Sequence, residues 1–245
     1  MAIKLPSGSG MAGDALWSDV TLLAPMDSDF ADTSTGGATP ALTSSPTIEA
    51  SGKFGSYGKL DVADRVVYSG VSYGAGDWTV EAWIKRTAAS FGAYARAVVI
   101  EIPGVVMLGR TGLTSLALHG DDFGDWLSVA PAYTFADQEW HHIALVRDGG
   151  TIRLYADGSQ VSTMSFSGSN GSSLQLSESS ASFGGVFGLD DLRVTASSRY
   201  PGGTTFTPPT AAHATGSGSS GDVSAIYLGS TEVTAAYLGA TEVYS

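Results

Sequence analysis

Two adjacent histidines, His141 and His142, directly follow Trp140 in the stretch DQEWHHIALVRDGGTIRLYADGSQVS, residues 137–162. Imidazole pairs can ligate a metal or shuttle protons near neutral pH. Neighbouring residues of a strand point to opposite faces, however, so these two cannot serve one ion without distortion. The only other histidines are His119 and His213. A structural role as strand residues is therefore the expectation, with a metal or catalytic role as the alternative.

Carboxyl groups are the next candidates. Glycoside hydrolysis requires two of them roughly 5–10 Å apart across the scissile bond. Glu81 stands alone in TVEAW, and Glu232 and Glu242 fall in a repeat near the carboxyl end. Gly-x-x-x-x-Gly-Lys and His-Glu-x-x-His patterns are missing from the sequence, and GVSYG (70–74), which has the Gly-x-Ser-x-Gly spacing, has no helix pattern after it to make a nucleophile elbow. Catalysis is not expected. The sequence HGDDFGDW offers Asp121, Asp122 and Asp125 as oxygen ligands of the kind calcium takes from loops, although their spacing is not that of an EF-hand. Calcium is thus the one cofactor with a candidate site, and an ordinary solvated acidic turn is the rival reading. Asp190 and Asp191 are expected to satisfy backbone N–H groups or to pair with an arginine. Trp126, Tyr133 and Tyr94 lie in or near loops, where an aromatic ring could stack on a sugar. The competing role for each is to cap the core or support subunit contacts. Asn170, in NGS, matches the glycosylation sequon but reads as a turn.

These residues must be held by β-structure. In DWTVEAWIK, Trp78, Val80, Ala82 and Ile84 alternate with Thr79, Glu81, Trp83 and Lys85, the period of a half-buried strand. AVVIEI, VVMLGR and SLALHG supply further strands. His141 to Arg147 and Thr151 to Ala156 form a hairpin across DGG, a second turn follows at Asp157 and Gly158, and a third strand runs through Val161 and Met164. GLDDLRVT is another strand, with Leu192 and Val194 on one side. An early strand covers roughly Val20 to Pro25, whereas residues 33–46, TSTGGATPALTSSP, read as turn formers throughout. Nowhere does apolar spacing of three and four residues persist, so an all-β sandwich or barrel is expected.

Composition agrees. Glycine contributes 32 of 245 residues, nearly twice its usual share, and charged residues only 15%. The net charge is −12 with no basic cluster, which argues against a nucleic-acid grip and against anionic membranes. The absence of cysteine excludes disulfides and thiolate chemistry. No apolar run long enough for a signal peptide or membrane span is visible, so folding in a cytoplasm is expected, with later release by a route such as lysis. AAHATGSGSSGD has linker composition. Beyond it a ten-residue repeat, YLGSTEV (227–233) and YLGATEV (237–243), suggests two small β-units around Gly229 and Gly239. Too small to fold alone, they need a partner surface or sister chains.

DWTVEAWIKR, EWHHIALVRDGGTIRLYADGSQV and FGGVFGLDDLRVTASSRYPGGTTFTPPT, preceded by SGKFGSYGKLDV, resemble consecutive blocks of the laminin-G-like, concanavalin A-like lectin/glucanase sandwich. The variant most similar occurs in virion proteins of tailed bacteriophages, where openings like WSDVTLLAPMD and tandem YLGSTEV-type units are found. The resemblance implies a jelly roll of two antiparallel sheets over 16–210, flanked by an amino-terminal arm (1–15), a linker (211–222) and a β-repeat (223–245) for attachment or oligomerisation. Relatives that hydrolyse glucans carry Glu-x-Asp-x-x-Glu, which this sequence lacks. The implied role is a non-enzymatic virion subunit, a tail fibre, appendage or decoration protein. It would be assembled in the host cytoplasm and exposed on the particle. Its expected partners are other virion proteins, sister copies (a trimer is the expectation) and host-surface polysaccharide. The alternatives are a purely structural capsid or tail cement protein and, behind that, a polysaccharide depolymerase.

Overall fold

The computed structural model describes residues 14–88, 90–91, 97–110, 114–120, 128–135, 138–178, 184–216, 226–228, 231–233, 236–238 and 241–244; at 110, at 128–132 and beyond 225 it describes the backbone alone. Among these residues, helix is confined to two 3-10 turns, Trp17–Asp19 and Pro201–Gly203. In chain order the first strands are β1 (Val20–Ala24), β2 (Thr39–Thr43), β3 (Thr47–Ala50), β4 (Ser56–Leu60), β5 (Arg65–Ser69) and β6 (Trp78–Arg86). Next come β7 (Val98–Ile102), β8 (Val106–Arg110), β9 (Ser115–Gly120), β10 (Ser128–Thr134), β11 (His141–Asp148) and β12 (Thr151–Ala156). After β13 (Ser159–Ser165), β14 (Ser173–Leu176) and β15 (Phe187–Thr195), four short strands remain: β16 (Ile226–Leu228), β17 (Thr231–Val233), β18 (Ala236–Leu238) and β19 (Thr241–Tyr244).

Two antiparallel sheets form a sandwich. The larger has eight strands in the order β13-β12-β11-β6-β15-β4-β3, with β1 added along β15. The smaller has seven, in the order β10-β9-β8-β7-β14-β5-β2. The alternation of β6 determines its inward face: Trp78, Val80, Ala82 and Ile84 are buried against Ile100, Leu108, Leu116 and Leu118 of the other sheet. Each such aliphatic side chain contributes about 1.5–3 kcal/mol by leaving water. In β15 a bulge between Asp190 and Arg193 places Asp191 at φ 54. This extra residue allows Leu189, Leu192 and Val194 all to enter the core, while Asp190 and Arg193 face outward.

The hairpin from β12 to β13 turns on Asp157 and Gly158, with φ of 49 and 80. Positive φ at both central positions is the geometry whose twist matches the flanking strands. Gly158 has a second duty. Its carbonyl accepts the N–H of Phe206 at 3.0 Å, and any Cβ there would collide with the Phe206 backbone.

Two sequence expectations need correction. The outward face of β6 is not exposed: Thr79, Glu81 and Trp83 are as buried as their inward neighbours. Residues 196–213 cross the outside of the larger sheet, where Tyr200 and Phe206 stack 3.5 Å apart and pack on Ala144, Val146 and Tyr155. The second correction concerns 33–46, which contains β2 rather than turns alone. β2 pairs with β5 through its whole length, but as an edge strand it leaves most side chains in water and so lacks an apolar rhythm.

The chain divides into two compact units. One is the sandwich, Asp19–His213; the other combines the chain's two end segments, Met1–Ser18 and Ala214–Ser245. Within the second, Asp14 N–H donates to the Gly216 carbonyl at 3.3 Å. Each ten-residue repeat is an antiparallel hairpin, β16 with β17 and β18 with β19. Gly229 and Gly239 lie outside the described residues.

Candidate functional site: a loop-lined cleft at one end of the sandwich

Two loops meet at one end of the sandwich, residues 70–77 between β5 and β6 and residues 166–172 between β13 and β14. Together with Arg147, near the end of β11, they enclose a cleft of about 610 Å³. The pin that joins them is Asn170. Trp78 is buried, and its indole N–H needs an acceptor there; it donates to Asn170 Oδ1 at 2.9 Å. The Arg147 guanidinium donates to the same oxygen. Asn170 Nδ2 in turn donates to the carbonyls of Gly74 and Gly76, both at 2.9 Å. Around this hub, Gly70 N–H bonds the Ser172 carbonyl and the Tyr73 hydroxyl donates to the Ser173 carbonyl at 3.1 Å. Burial pushes the Tyr73 phenol well up, so it stays a proton donor.

The lining is polar and preorganised. Exposed Ser72, Ser169 and Ser172 form the rim with glycine backbone, while buried Val71 and Tyr73 form the floor. Arg147 is the one charged group among the described lining residues. Its guanidinium rests over the Phe166 ring, 5.0 Å from the centroid, and its Nε donates to the Gly149 carbonyl at 3.4 Å. Such a wall offers hydroxyls, peptide groups and a planar donor in fixed positions. Those groups suit a polyhydroxylated ligand, and the volume falls in the range of small-ligand pockets, about 300–1,000 Å³.

The histidine pair separates as strand geometry demands. His141 Nδ1 lies 2.7 Å from Asp157 Oδ2, and its ring meets Phe135 edge-on. Burial tends to raise the Asp157 carboxyl, but its hydrogen bonds to His141 and to the His142 N–H outweigh that and hold it below the usual range. His142 is fully buried on the outward face, between Trp83 and Phe206, with Nε2 3.2 Å from Glu81 Oε2.

Glu81, expected to stand alone, is instead the centre of a buried ionic cluster. Arg193 donates to its Oε1 from Nε at 3.0 Å and from Nη2 at 2.6 Å, and the Tyr200 hydroxyl donates to Oε2 at 2.7 Å. Arg199 Nε stands 3.6 Å away. Burial alone would raise the Glu81 carboxyl; Arg193 and His142 reverse this and hold it well below the usual carboxylate range. The cluster anchors segment 196–213 to the sheet and lies beneath it, closed to substrate. Asp190 and Asp191 each bond a backbone N–H, from Phe54 and His213 at 2.9 Å. Burial pushes them up to about 6 and about 7 respectively. Burial also lowers His213 to about 3, leaving it neutral.

Of the glycan candidates read from the sequence, Tyr133 sits half-buried on β10 with its ring 4.8 Å from Phe135, against the edge of the core. Trp126 and Tyr94 lie outside the described residues, as do Asp121, Asp122 and Asp125. Among the described residues no group of three His, Asp or Glu side chains could hold a metal ion, and no helix is long and apolar enough to cross a membrane. The cleft residues Arg147 and Asn170 were not singled out by sequence as a site. The signal available was Trp78, an indole on a core-facing strand position that obliges some distant acceptor to exist.

Comparison with solved structures finds the same sandwich in botulinum neurotoxins. The matches include botulinum neurotoxin type C, whose cell entry is dependent upon interaction with two ganglioside molecules (12% identity, TM-score 0.57, 75% of this chain and 49% of that chain). A second is the receptor-binding domain of the C/D mosaic serotype (12%, 0.58, 74% and 49%). A third is the binding domain of botulinum neurotoxin DC in complex with SialylT (12%, 0.56, 75% and 49%). The chain spans about half the length of these solved chains, and at this identity the likeness is one of fold. No curated protein matches the chain. The family described as the concanavalin A-like lectin/glucanases superfamily matches residues 54–199, from the loop before β4 to just beyond β15. With more than half of its length in that match, the chain belongs to the concanavalin A-like lectin/glucanases superfamily.

Proposed function

We propose that the chain is a non-enzymatic virion subunit of a tailed bacteriophage, displaying a lectin-like sandwich that binds host-surface polysaccharide through the cleft between residues 70–77 and 166–172. The observation that carries the binding role is the cleft itself: saccharide-sized, lined by hydroxyls, peptide groups and Arg147, and pinned open by Asn170. The ganglioside dependence of the neurotoxin with the same fold supports a glycan ligand. The described lining carries no carboxyl group to act as acid, base or nucleophile, which supports binding over hydrolysis. Virion attachment rests on the phage-like blocks and the YLG(S/A)TEV repeat, whose units are isolated two-stranded hairpins, marginal on their own. Weak single-site affinity would be multiplied by several copies on the particle.

The test is a polysaccharide binding screen with the full chain and a Ser169→Trp variant, which fills the cleft from its exposed rim. Binding by the parent and its loss in the variant, with an unchanged melting temperature, is the expected result. Equal binding by both would remove the cleft from the reading. No binding by the parent, with immunogold label spread over the capsid, would favour a purely structural decoration protein. Label confined to tail tip or fibres, with binding, would favour host recognition.

A further inference from the structure

The outer face of the larger sheet carries a second surface, remote in character from the cleft. The chain has only four lysines, and Lys53, Lys59 and Lys85 are three of them. All three stand on or beside β4 and β6. Lys59 is already engaged, 3.1 Å from Asp61. Lys53 and Lys85 are not: among the described residues neither ammonium has a carboxylate within ion-pair distance. Each rests on aromatic rings instead. Lys85 Nζ occupies the corner between Tyr57 and Trp140, 4.2 and 4.6 Å from their centroids, the two rings meeting edge to face at 5.4 Å. Lys53 Nζ lies 3.9 Å over Trp83 and 6.0 Å from Phe54, which meets Trp83 edge-on.

Backbone structure prepares this surface. Trp83 and Lys85 alternate on one face of β6, about 7 Å apart along the strand. Tyr57 can lie flat over β15 because position 188 is glycine: a Cβ there would come within 2.8 Å of its ring. Trp140, Phe54 and Lys85 remain half-exposed, and Lys53 is exposed.

In a chain carrying −12, two ammonium groups held by rings rather than by acids are an arrangement with a chemical consequence. The rings restrict the lysine stems, so little further order is lost when an anion docks. Among the described residues, the ammonium N–H groups turned from the rings have no internal acceptor. Half-exposed ring edges beside them present apolar surface of the kind a pyranose C–H face covers. Of the acids nearby, Glu49 on β3 and Asp61 are drawn to Thr47 and Lys59, and Asp190 and Asp27 accept the backbone N–H groups of Phe54 and Ser56. We propose that the surface formed by Lys53, Phe54, Tyr57, Trp83, Lys85 and Trp140 docks carboxylate-bearing polysaccharide. The site is separate from the cleft and stands or falls independently of it.

The experiment is calorimetric titration of the full chain with polygalacturonate, neutral dextran and dextran sulfate at 20 and 150 mM NaCl. Polygalacturonate is expected to bind and dextran not. Lys53→Gln/Lys85→Gln should weaken polygalacturonate at least tenfold, Lys53→Arg/Lys85→Arg should retain it, and Ser169→Trp should leave it unchanged. The proposal is overturned if the parent fails to bind polygalacturonate, or if the double glutamine variant binds as the parent does. It is equally overturned if dextran sulfate binds more tightly and Trp140→Ala changes nothing, which would indicate a non-specific attraction of polyanions.

Discussion

Replacing Glu81 by Gln tests whether the ionic cluster, rather than packing, fastens segment 196–213 to the sheet. The substitution conserves volume and one carbonyl oxygen, so it isolates the charge. Glu81 is fully buried and faces two guanidinium groups: Arg193, bonded twice at 3.0 and 2.6 Å, and Arg199 at 3.6 Å. Without the carboxylate, the nearly buried Arg193 loses the counter-charge to which it donates twice. Breaking one side of a buried pair costs about 3–5 kcal/mol. Retention of one acceptor in Gln places the expected loss at the lower end, about 3 kcal/mol. For a domain of this size that corresponds to a melting temperature lower by about 6–12 °C. Equilibrium urea unfolding followed by tryptophan fluorescence measures it, with calorimetry as the check. The pH dependence adds a second signature. The folded Glu81 carboxyl is held well below its ordinary value, so its contribution is fully present above the unfolded value, about 4.3. It is lost as pH falls towards the folded one. The gap between parent and variant should persist from pH 5 upward and close in stronger acid. A loss below about 1 kcal/mol at pH 7, or a gap independent of pH, would refute the reasoning.

Asn170→Ala removes the acceptor of the buried Trp78 indole and the tie between the cleft loops. Thermal unfolding should show a loss of about 2–3 kcal/mol, and the same variant should fail in the polysaccharide screen. For Asp191 the sign is opposite to that of Glu81. Its folded carboxyl is raised to about 7 by burial, so its ionised form weakens the fold above that pH, and the cost is relieved as pH falls towards the unfolded value of about 3.9. Asp191→Asn keeps the shape and suits the left-handed backbone there. Denaturation at several pH values should find the variant more stable than the parent by about 2 kcal/mol at pH 8, with no difference near pH 4.

Strands announced by an alternating sequence or by the turns that bound them were legible, even where both faces are buried, as in β6. β6, β11, β12 and β13 stand close to where the pattern put them, and the Asp157–Gly158 turn has the positive φ values its residues imply. β2 was illegible because an edge strand such as Thr39–Thr43 keeps little of itself from water. Burial of the outward face of β6 was hidden for a different reason. The residues that cover Glu81 come 112 and 119 positions later, from Arg193 and Tyr200. A lone glutamate in a strand reveals nothing of a partner brought by topology. The cleft is the same case: Asn170 meets Trp78 and Gly76 across 92 and 94 residues. A local reading of NGS finds an irregular loop between strands but not what the amide grips. Asp190 and Asp191 were read correctly as acceptors of backbone N–H groups, since a double acid beside a strand bulge must satisfy whatever chain passes over it.

β1 and β15 run antiparallel as immediate neighbours, with Val20 opposite Thr195. Tension that drew these two ends apart would peel the pair one rung at a time, the direction in which a β-ladder resists least. The segment beyond Thr195 alters how that load arrives. It is clasped in succession by Thr79 at Ser197 and Arg199, by Glu81 at Tyr200, by Gly158 at Phe206 and by Asp191 at His213. A pull from the far side of His213 must undo these clasps before it reaches the ladder. Residues 196–213 thus act as a strain relief, shielding the seam at which the sandwich would otherwise unzip.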